Sequence, residues 1–235
     1  MTTADIMHEL QELGSEQTKK TFVRHGASEP LYGVRVGDLK KLQKRIGKNY
    51  DLALELYNTG NSDAMYLAGL IADEDKMTKK DLKNWAEKAS WYMISEYTVA
   101  WVAAESKFGY ALALAWIDSP KENIASSGWA TLASLVCITP DTALDIEALG
   151  ALLDRVAETI HHAPNRVRYT MNSFVIAAGS SVPALTGTAK AVAENIGLVQ
   201  VDMGGTACNV PSAGEYILKV EEKGTLGKKR KDARC

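Results

Sequence analysis

Apolar residues recur at helical spacing along almost the whole chain, and this period constrains the fold more than any other feature. In the segment 36–46 the apolar side chains step by three or four positions and share one helix face: Val36, Leu39, Leu42 and Ile46. The same period continues in the segments 51–57, 62–72, 79–89, 97–106, 110–117, 124–136, 143–160, 164–179, 183–196 and 213–224. The pattern predicts an all-α protein.

The breaks between these segments are short and carry residues typical of helix ends. Gly60 is suited to end one helix and Asn61 to cap the next, while Thr78 with Asp81 three residues later is a capping-box pattern. Pro164 fits the first turn of a helix, where a missing N–H costs nothing. Because loops of a few residues join antiparallel neighbours, the helices are expected to pair in sequence order.

The helix pairs follow one another at a spacing of about 30–40 residues, close to the ~40–47 residues of HEAT-like units. The pairs are 36–57, 61–88, 91–117, 122–158 and 164–196. We expect an α-α superhelix, a HEAT- or armadillo-like solenoid of about six helix pairs, with an irregular helical bundle as the alternative. Residues 1–223 would form this single domain. The basic tail 224–235 has little to bury and is expected to be disordered.

Composition and charge exclude several classes of protein. The net charge is −2, but residues 91–165 are acidic and the two ends more basic, so nucleic-acid contact would require a local basic patch. No apolar run approaches the ~18–20 residues of a membrane span, and the N-terminus lacks a signal-peptide pattern. The three cysteines, Cys137, Cys208 and Cys235, form no CxxC pair. We expect a cytoplasmic monomer without metal, small-molecule cofactor or membrane partner.

Two lysine-rich stripes are candidates for phosphate contacts. The first lies on the polar face of the segment 36–46, and the second begins the segment 79–89. Their residues are Lys40, Lys44 and Arg45, and Lys79, Lys80 and Lys83. If both stripes face one groove, they would neutralise several phosphates and DNA binding would weaken steeply with salt. The alternative is a solvated helix face without a ligand.

Four stretches resemble the HEAT-repeat DNA alkylation repair proteins, the AlkD-like family. They are residues 32–46, 55–73, 161–179 and 196–219, which together span most of the chain. The first two are similar to the family broadly, and the last two to one divergent bacterial branch. The resemblance implies an all-α superhelix that holds duplex DNA in a concave basic groove. It also implies excision of positively charged alkylated bases.

The resemblance further implies an acidic residue and a tryptophan pair that touch the damaged nucleotide. In the segment 90–96, SWYMISE, Trp91 matches the first tryptophan, Tyr92 replaces the second and Glu96 replaces an aspartate. A shift of one residue would instead put Ser95 at the acidic position. Because glutamate is one methylene longer, its charge moves by roughly 1 Å, which can lower a rate about a hundredfold.

The remaining family positions are replaced by small residues. The segment 123–128, NIASSG, stands where the family has arginine, and Ser173 lies near the place of a further tryptophan. The helix around Ser173 keeps Arg168, which the resemblance assigns to DNA binding. These losses predict weak or absent base excision.

The helix that follows Pro164 opens on an unusual set of hydrogen-bond donors. Asn165 and Arg166 lie at a helix N-terminus, where free N–H groups and the helix dipole favour anions. One arginine of this helix is expected to pair with Asp202, in the loop 202–209. We interpret Asn165, Arg166 and Asp202 as a polar latch that fastens the C-terminal helix, with a small-anion site as the alternative.

The sequence therefore predicts a HEAT-like repeat protein that binds duplex DNA and is related to alkylation repair proteins. Two alternatives stay open. One is an active glycosylase that removes cationic alkylated purines with Glu96 as its acid. The other is a helical scaffold that binds protein.

Overall fold

The computed structural model describes residues 1–206 and 208–234, and helices are the only regular secondary structure in these ranges. The α-helices are α1 (Thr3–Leu13), α2 (Glu16–Arg24), α3 (Val36–Ile46), α4 (Tyr50–Asn58), α5 (Ser62–Ile71), α6 (Lys79–Lys88), α7 (Ala100–Glu105), α8 (Gly109–Trp116), α9 (Glu122–Ile138), α10 (Ile146–Thr159), α11 (Asn165–Ser181), α12 (Thr186–Ile196) and α13 (Ala213–Glu222). A π-helical segment, Met93–Val99, leads directly into α7, and short 3-10 turns cover Asp141–Ala143, Ile160–His162 and Pro183–Leu185. None of the described helices has the length and apolar character needed to pass through a bilayer.

One row of helices packs side by side through the molecule. This central row consists of α5, the π-helical segment with α7, then α9, α11 and α13, each in contact with the next. Further helices pack against the row: α4 on α5, α8 on α9 and α12 on α11. The chain thus runs out along one helix and back along its neighbour, which is the HEAT-like superhelix that the sequence predicts.

Small residues let the helices of neighbouring pairs approach closely. A Cβ atom on Gly69 would lie 2.7 Å from Cγ2 of Thr98, and one on Gly128 would lie 2.8 Å from the backbone nitrogen of Ile117. Ser126 and Ser127 beside Gly128 are fully buried. The positions where the resemblance places arginine are therefore packing positions of α9 in this chain.

Helix caps form where the capping pattern predicts them. Asn61 caps α5, and Thr78 forms a reciprocal capping box with Asp81 at the start of α6. In the first turn of α5, Asp63 holds the segment before α3. Its buried carboxylate accepts hydrogen bonds from three successive backbone N–H groups, those of Tyr32 at 2.6 Å, Gly33 at 3.0 Å and Val34 at 2.9 Å.

The C-terminal tail differs from the expectation of disorder, because it lies along the C-terminal ends of the central row. The Gly227 N–H donates to the Ser180 carbonyl at 2.9 Å, near the end of α11. The Arg230 N–H donates to the Cys137 carbonyl at 2.8 Å, near the end of α9. Lys229 reaches the carbonyl of Val136 at 2.8 Å. Cys235 lies outside the described residues.

The tail continues to the ends of α7 and α5. Ala233 is fully buried, and its N–H donates to a Glu105 carboxylate oxygen at 2.7 Å. Arg234 donates to the Ala72 carbonyl at 3.0 Å and forms ion pairs with Glu74 and Glu105, each at 2.9 Å. Helix C-termini present unpaired carbonyls and a partial negative charge, so a basic segment is ordered there although it carries little apolar surface.

Removing the Arg234 side chain should release the tail. Hydrogen bonds to charged groups are worth about 1.5–3 kcal/mol each, so we expect Arg234→Ala to raise the open population of residues 228–234 about tenfold or more. Limited trypsin digestion followed by mass spectrometry should then show faster removal of the tail. Lys219→Ala, at an exposed position on α13, is the matched control and should leave the rate unchanged. Equally fast trimming of the wild type would contradict the docked tail.

Candidate nucleic-acid interface

A carboxylate and a guanidinium form a buried bidentate ion pair across the start of α9. Arg166 Nε donates to Oε1 of Glu96 at 2.7 Å, and Arg166 Nη2 donates to Oε2 at 2.5 Å. The Glu96 side chain is 3% exposed and that of Arg166 is 17% exposed. Both carboxylate oxygens of the candidate acid are therefore engaged by one cation.

Local structure brings the two partners together from distant parts of the sequence. Glu96 projects from the π-helical segment, and Arg166 is in the first turn of α11. The backbone N–H of Arg166 donates to Glu122 at 2.7 Å, so α9 contributes a second carboxylate. The guanidinium lies 4.5 Å from the ring centre of Tyr92 and 4.4 Å from that of Tyr169. Cation–π attraction adds to the ion pair on these faces.

Burial changes the ionisation of the groups around the pair. It raises the pKa of the Glu96 carboxyl to about 7, although the hydrogen bonds and charge of Arg166 act in the opposite direction. Burial also raises the pKa of the Tyr92, Tyr97 and Tyr169 hydroxyls, so these side chains remain neutral near pH 7. Glu96 and Arg166 together form a compensated unit in an otherwise neutral, aromatic setting.

The partner that the sequence suggested for the arginine requires a correction. Arg166 pairs with Glu96 and not with the carboxylate of Asp202. It is Asn165 that contacts this loop: its amide donates to the Asp202 carbonyl at 2.8 Å and accepts from the Asp202 N–H at 2.7 Å. A side-chain amide matches a backbone peptide in both donor and acceptor, which an arginine does not.

The aromatic candidates make contacts within the protein. Trp91 is 8% exposed and packs against Phe22 with ring centres 5.5 Å apart, so it belongs to the core. Tyr92 is half-buried and has one face on the guanidinium of Arg166. Contact of these two rings with DNA stays a prediction.

The two lysine stripes lie against different elements. Lys40 and Lys44 line an open groove of about 990 Å³ between the ends of α5, α7 and α9 and the tail, which we call the tail groove. Arg45, one turn along α3, is bound to Glu9 of α1 at 2.6 and 2.7 Å. Lys79 instead lies 5.5 Å from the Phe108 ring centre, beside the start of α8, and Lys80 and Lys83 are exposed on the same helix.

The tail supplies cations to the groove that sequence reasoning missed. Besides Lys40 and Lys44, the groove is lined by Lys48, Lys231 and Arg234 and by the acids Glu74, Glu105 and Asp232. Arg234 pairs with Glu74 and Glu105, and Lys48 also pairs with Glu74. The basic composition of the tail was visible in the sequence, but the surface that it covers was not. Arg168, the remaining candidate, is half-buried on α11, and its Nε is buried without a hydrogen-bond partner among the described residues.

The histidines that open the segment 161–179 do not form a metal site with the cysteine of the loop. His161 Nε2 lies 2.9 Å from the Ile196 carbonyl. Across residues 1–206 and 208–234, no three His, Cys, Asp or Glu side chains are grouped so that they could hold a metal ion.

Removing the guanidinium should make stability depend on pH. In Arg166→Leu the pKa of buried Glu96 should rise above its value of about 7, far above the ~4.3 of an unfolded chain. The native state then binds more protons than the unfolded state, so the free energy of unfolding falls as pH rises through this window. For the wild type this decline ends near pH 7, whereas for the variant it continues to higher pH.

Urea unfolding of both proteins between about pH 6 and 9 tests this prediction. At the alkaline end of this range, we expect the free energy of unfolding of the variant to be about 3–5 kcal/mol lower than that of the wild type. The double variant Glu96→Gln/Arg166→Leu is the control, because it lacks the titrating group and its difference from wild type should not grow above pH 7. Parallel pH profiles for wild type and Arg166→Leu would show that the two side chains are not coupled.

Comparison with known proteins agrees with this architecture. Residues 6–196 match the family model of the DNA alkylation repair enzyme. Two uncharacterized proteins of Listeria are similar over 92% of this chain and 95% of their own length: Lin0241 of Listeria innocua is 35% identical over 223 residues, and Lmo0209 of Listeria monocytogenes is 33% identical over 221 residues.

A solved structure is similar over the whole length of both chains, with a TM-score of 0.92 and 39% sequence identity. That protein is described as one of a new family related to the HEAT-like repeat DNA glycosylases, with affinity for branched DNA structures. The match of the family model over most of the sequence, together with this shared fold, shows that the chain belongs to the DNA alkylation repair family of HEAT-like repeat proteins.

Proposed function

We propose that this protein binds DNA, with a preference for branched structures, and excises alkylated bases weakly or not at all. The observation that carries the proposal is the tail groove, where lysines from α3 and from the tail line one open surface. Lys40, Lys44 and Lys231 belong to segments nearly two hundred residues apart in sequence. A polyanion needs cations from several segments on one surface, and these three lysines provide them. A helix face that is only solvated would need no such grouping.

The electrostatics of the groove support a phosphate ligand. Helix C-termini and the carboxylates of Glu74 and Glu105 would by themselves make this edge negative. Arg234 pairs with both carboxylates, Lys48 also pairs with Glu74, and Lys229 pairs with Asp141 at 2.7 Å. These pairs leave Lys40, Lys44 and Lys231 against Asp232 in the lining, which is a net positive surface.

The preference for branched DNA is supported by the similar solved structure, which has affinity for branched DNA structures. A curved row of helices presents cations at several angles, and a junction presents phosphates from more than one duplex. Each additional phosphate contact strengthens binding and increases its dependence on salt. The proposal extends this property to the present chain because the two folds agree over their full length.

The state of Glu96 supports weak or absent excision. Cleavage of a glycosidic bond builds positive charge on the sugar, which a nearby bare carboxylate would stabilise. Here both oxygens of Glu96 accept hydrogen bonds from Arg166, and burial raises the pKa of the carboxyl to about 7, so Glu96 offers no bare negative charge. Buried Ser126 and Ser127 in α9 supply no replacement cation for phosphate.

The protein-binding scaffold is the second candidate, and the lining of the groove weighs against it. Protein interfaces have apolar, often aromatic centres in which lysine is depleted. The tail groove has lysines where such an interface would have apolar anchors. An acidic protein partner would still be compatible with this surface, so DNA binding has to be measured directly.

Neutralising the groove should weaken DNA binding and lower its salt dependence. We expect Lys40→Ala/Lys44→Ala to reduce the slope of log Kobs against log salt by about 2, because each lost phosphate contact removes about 0.9. Fluorescence anisotropy with a four-way junction and a duplex, at about 50 and 200 mM salt, measures this. Lys80→Ala/Lys83→Ala removes the same charge from α6 and is the matched control. A larger effect of the α6 pair would move the DNA surface to that helix.

Base excision should be undetectable or unaffected by Glu96. We expect methylated DNA incubated with the wild type to release 7-methylguanine at the level of a blank, and Glu96→Gln to give the same result, because the carboxylate is already neutralised. Release that depends on Glu96 would establish the glycosylase alternative. Anisotropy with the same DNA shows whether the substrate was bound during the assay.

A further inference from the structure

A cavity of about 530 Å³ opens between α7, α9, α11, α13 and the tail, in addition to the tail groove. The volume lies within the ~300–1,000 Å³ of pockets that hold small ligands. At one side the cavity reaches Glu96, and at the other it reaches the docked tail. Its aromatic lining comes from four elements of the chain: Tyr97, Trp101, Tyr169 and Tyr216.

The walls combine flat apolar surface with hydroxyl groups. Tyr97 and Trp101 meet edge to face with ring centres 5.4 Å apart, which fixes both rings. Hydroxyls come from α9 and α11, and among them the Oγ of Ser180 is buried without a hydrogen-bond partner among the described residues. A buried hydroxyl of this kind favours a ligand that brings its own polar edge, because an unmet hydrogen bond is costly.

Charged side chains lie at the two ends of the cavity. The Glu96 carboxylate is compensated by Arg166, so it does not repel an anion. On the opposite side, Lys228 and Arg230 of the tail form part of the lining. The arrangement is an aromatic slot with hydroxyls on its wall and cations at one end.

We infer that this cavity receives one unpaired nucleobase of the bound DNA, with the attached phosphate at Lys228. A nucleobase is a flat ring that stacks on aromatic side chains and has donors and acceptors along its edge. Its phosphate lies within a few bonds and requires a cation. The inference rests on the proposed DNA binding and specifies which part of the DNA enters the protein.

An unpaired nucleobase in the cavity would also explain a preference for branched over continuous DNA. In a duplex, a base leaves its stack only at a free-energy cost, and that cost is least for a base that is already unpaired. Branch points expose such bases. A pocket for an unpaired base therefore selects junctions without reading their sequence.

The test of this inference measures the fluorescence of one modified base in the DNA. A three-way junction carries 2-aminopurine at one unpaired position at the branch, and a fully paired duplex of the same length carries it in the middle. Binding of wild-type protein should change the fluorescence of the junction and leave that of the duplex unchanged, because only the unpaired base stacks on Tyr97, Trp101 or Tyr169.

Two variants alter the cavity in opposite ways. Tyr216→Ala removes a wall residue that is 48% exposed, and Ser173→Phe fills the space from a half-buried position. Each should weaken junction binding about five- to tenfold, as expected for a lost base–aromatic contact, and leave duplex binding within about twofold. Tyr110→Ala, which removes a tyrosine that is 40% exposed on α8, is the control and should change neither.

The outcomes separate this inference from the proposed function. If wild type binds the junction but the 2-aminopurine signal stays constant and both cavity variants bind normally, the pocket is not a base site and DNA binding stands. If wild type binds neither DNA, the proposed function fails and the inference fails with it. Circular dichroism confirms that each variant is folded.

Discussion

The buried pair of Glu96 and Arg166 is the interaction on which the middle of the molecule depends. Each ion loses several kcal/mol of hydration on burial, and only good geometry and further contacts offset that cost. Here the pair is bidentate, the guanidinium is covered by Tyr92 and Tyr169, and the backbone of Arg166 is bound to Glu122. The same contacts join the π-helical segment, α9 and α11, and they compensate the carboxylate at the position that the resemblance matches to the family's acid.

The docked tail has a comparable role at the opposite edge of the central row. It contributes Ala233 to the core of the N-terminal half, while Gly227 lies against Pro183 of the C-terminal half. Its cations compensate Glu74, Glu105 and Asp141 and occupy helix ends that would otherwise be negative. One short segment therefore links the two halves of the core and adds Lys231 and Arg234 to the cations of the tail groove.

The family fold is kept in this chain, while several side chains at the positions that the resemblance assigns to catalysis differ. The helical repeats and their close packing are kept, whereas the positions that the resemblance assigns to catalysis have become parts of the core or walls of a cavity. Trp91 and Ser127 are buried, Gly128 packs against Ile117 after α8, and Ser173 lines the cavity of about 530 Å³. A scaffold that holds DNA can persist without excision, because phosphate contacts and bond cleavage are made by different side chains.

The sequence by itself determined most helices from residue 36 onward and the caps at Asn61 and Thr78, because helical periodicity and capping are local properties that a few neighbouring residues decide. It also identified Glu96, Arg166, Lys40 and Lys44 as candidates. Only the tertiary structure decided that Glu96 is the partner of Arg166, that Trp91 is buried and that the tail is ordered. The partners of these groups lie about 70 to 160 residues away along the chain, and no local pattern records which distant surface a charge or a ring will meet.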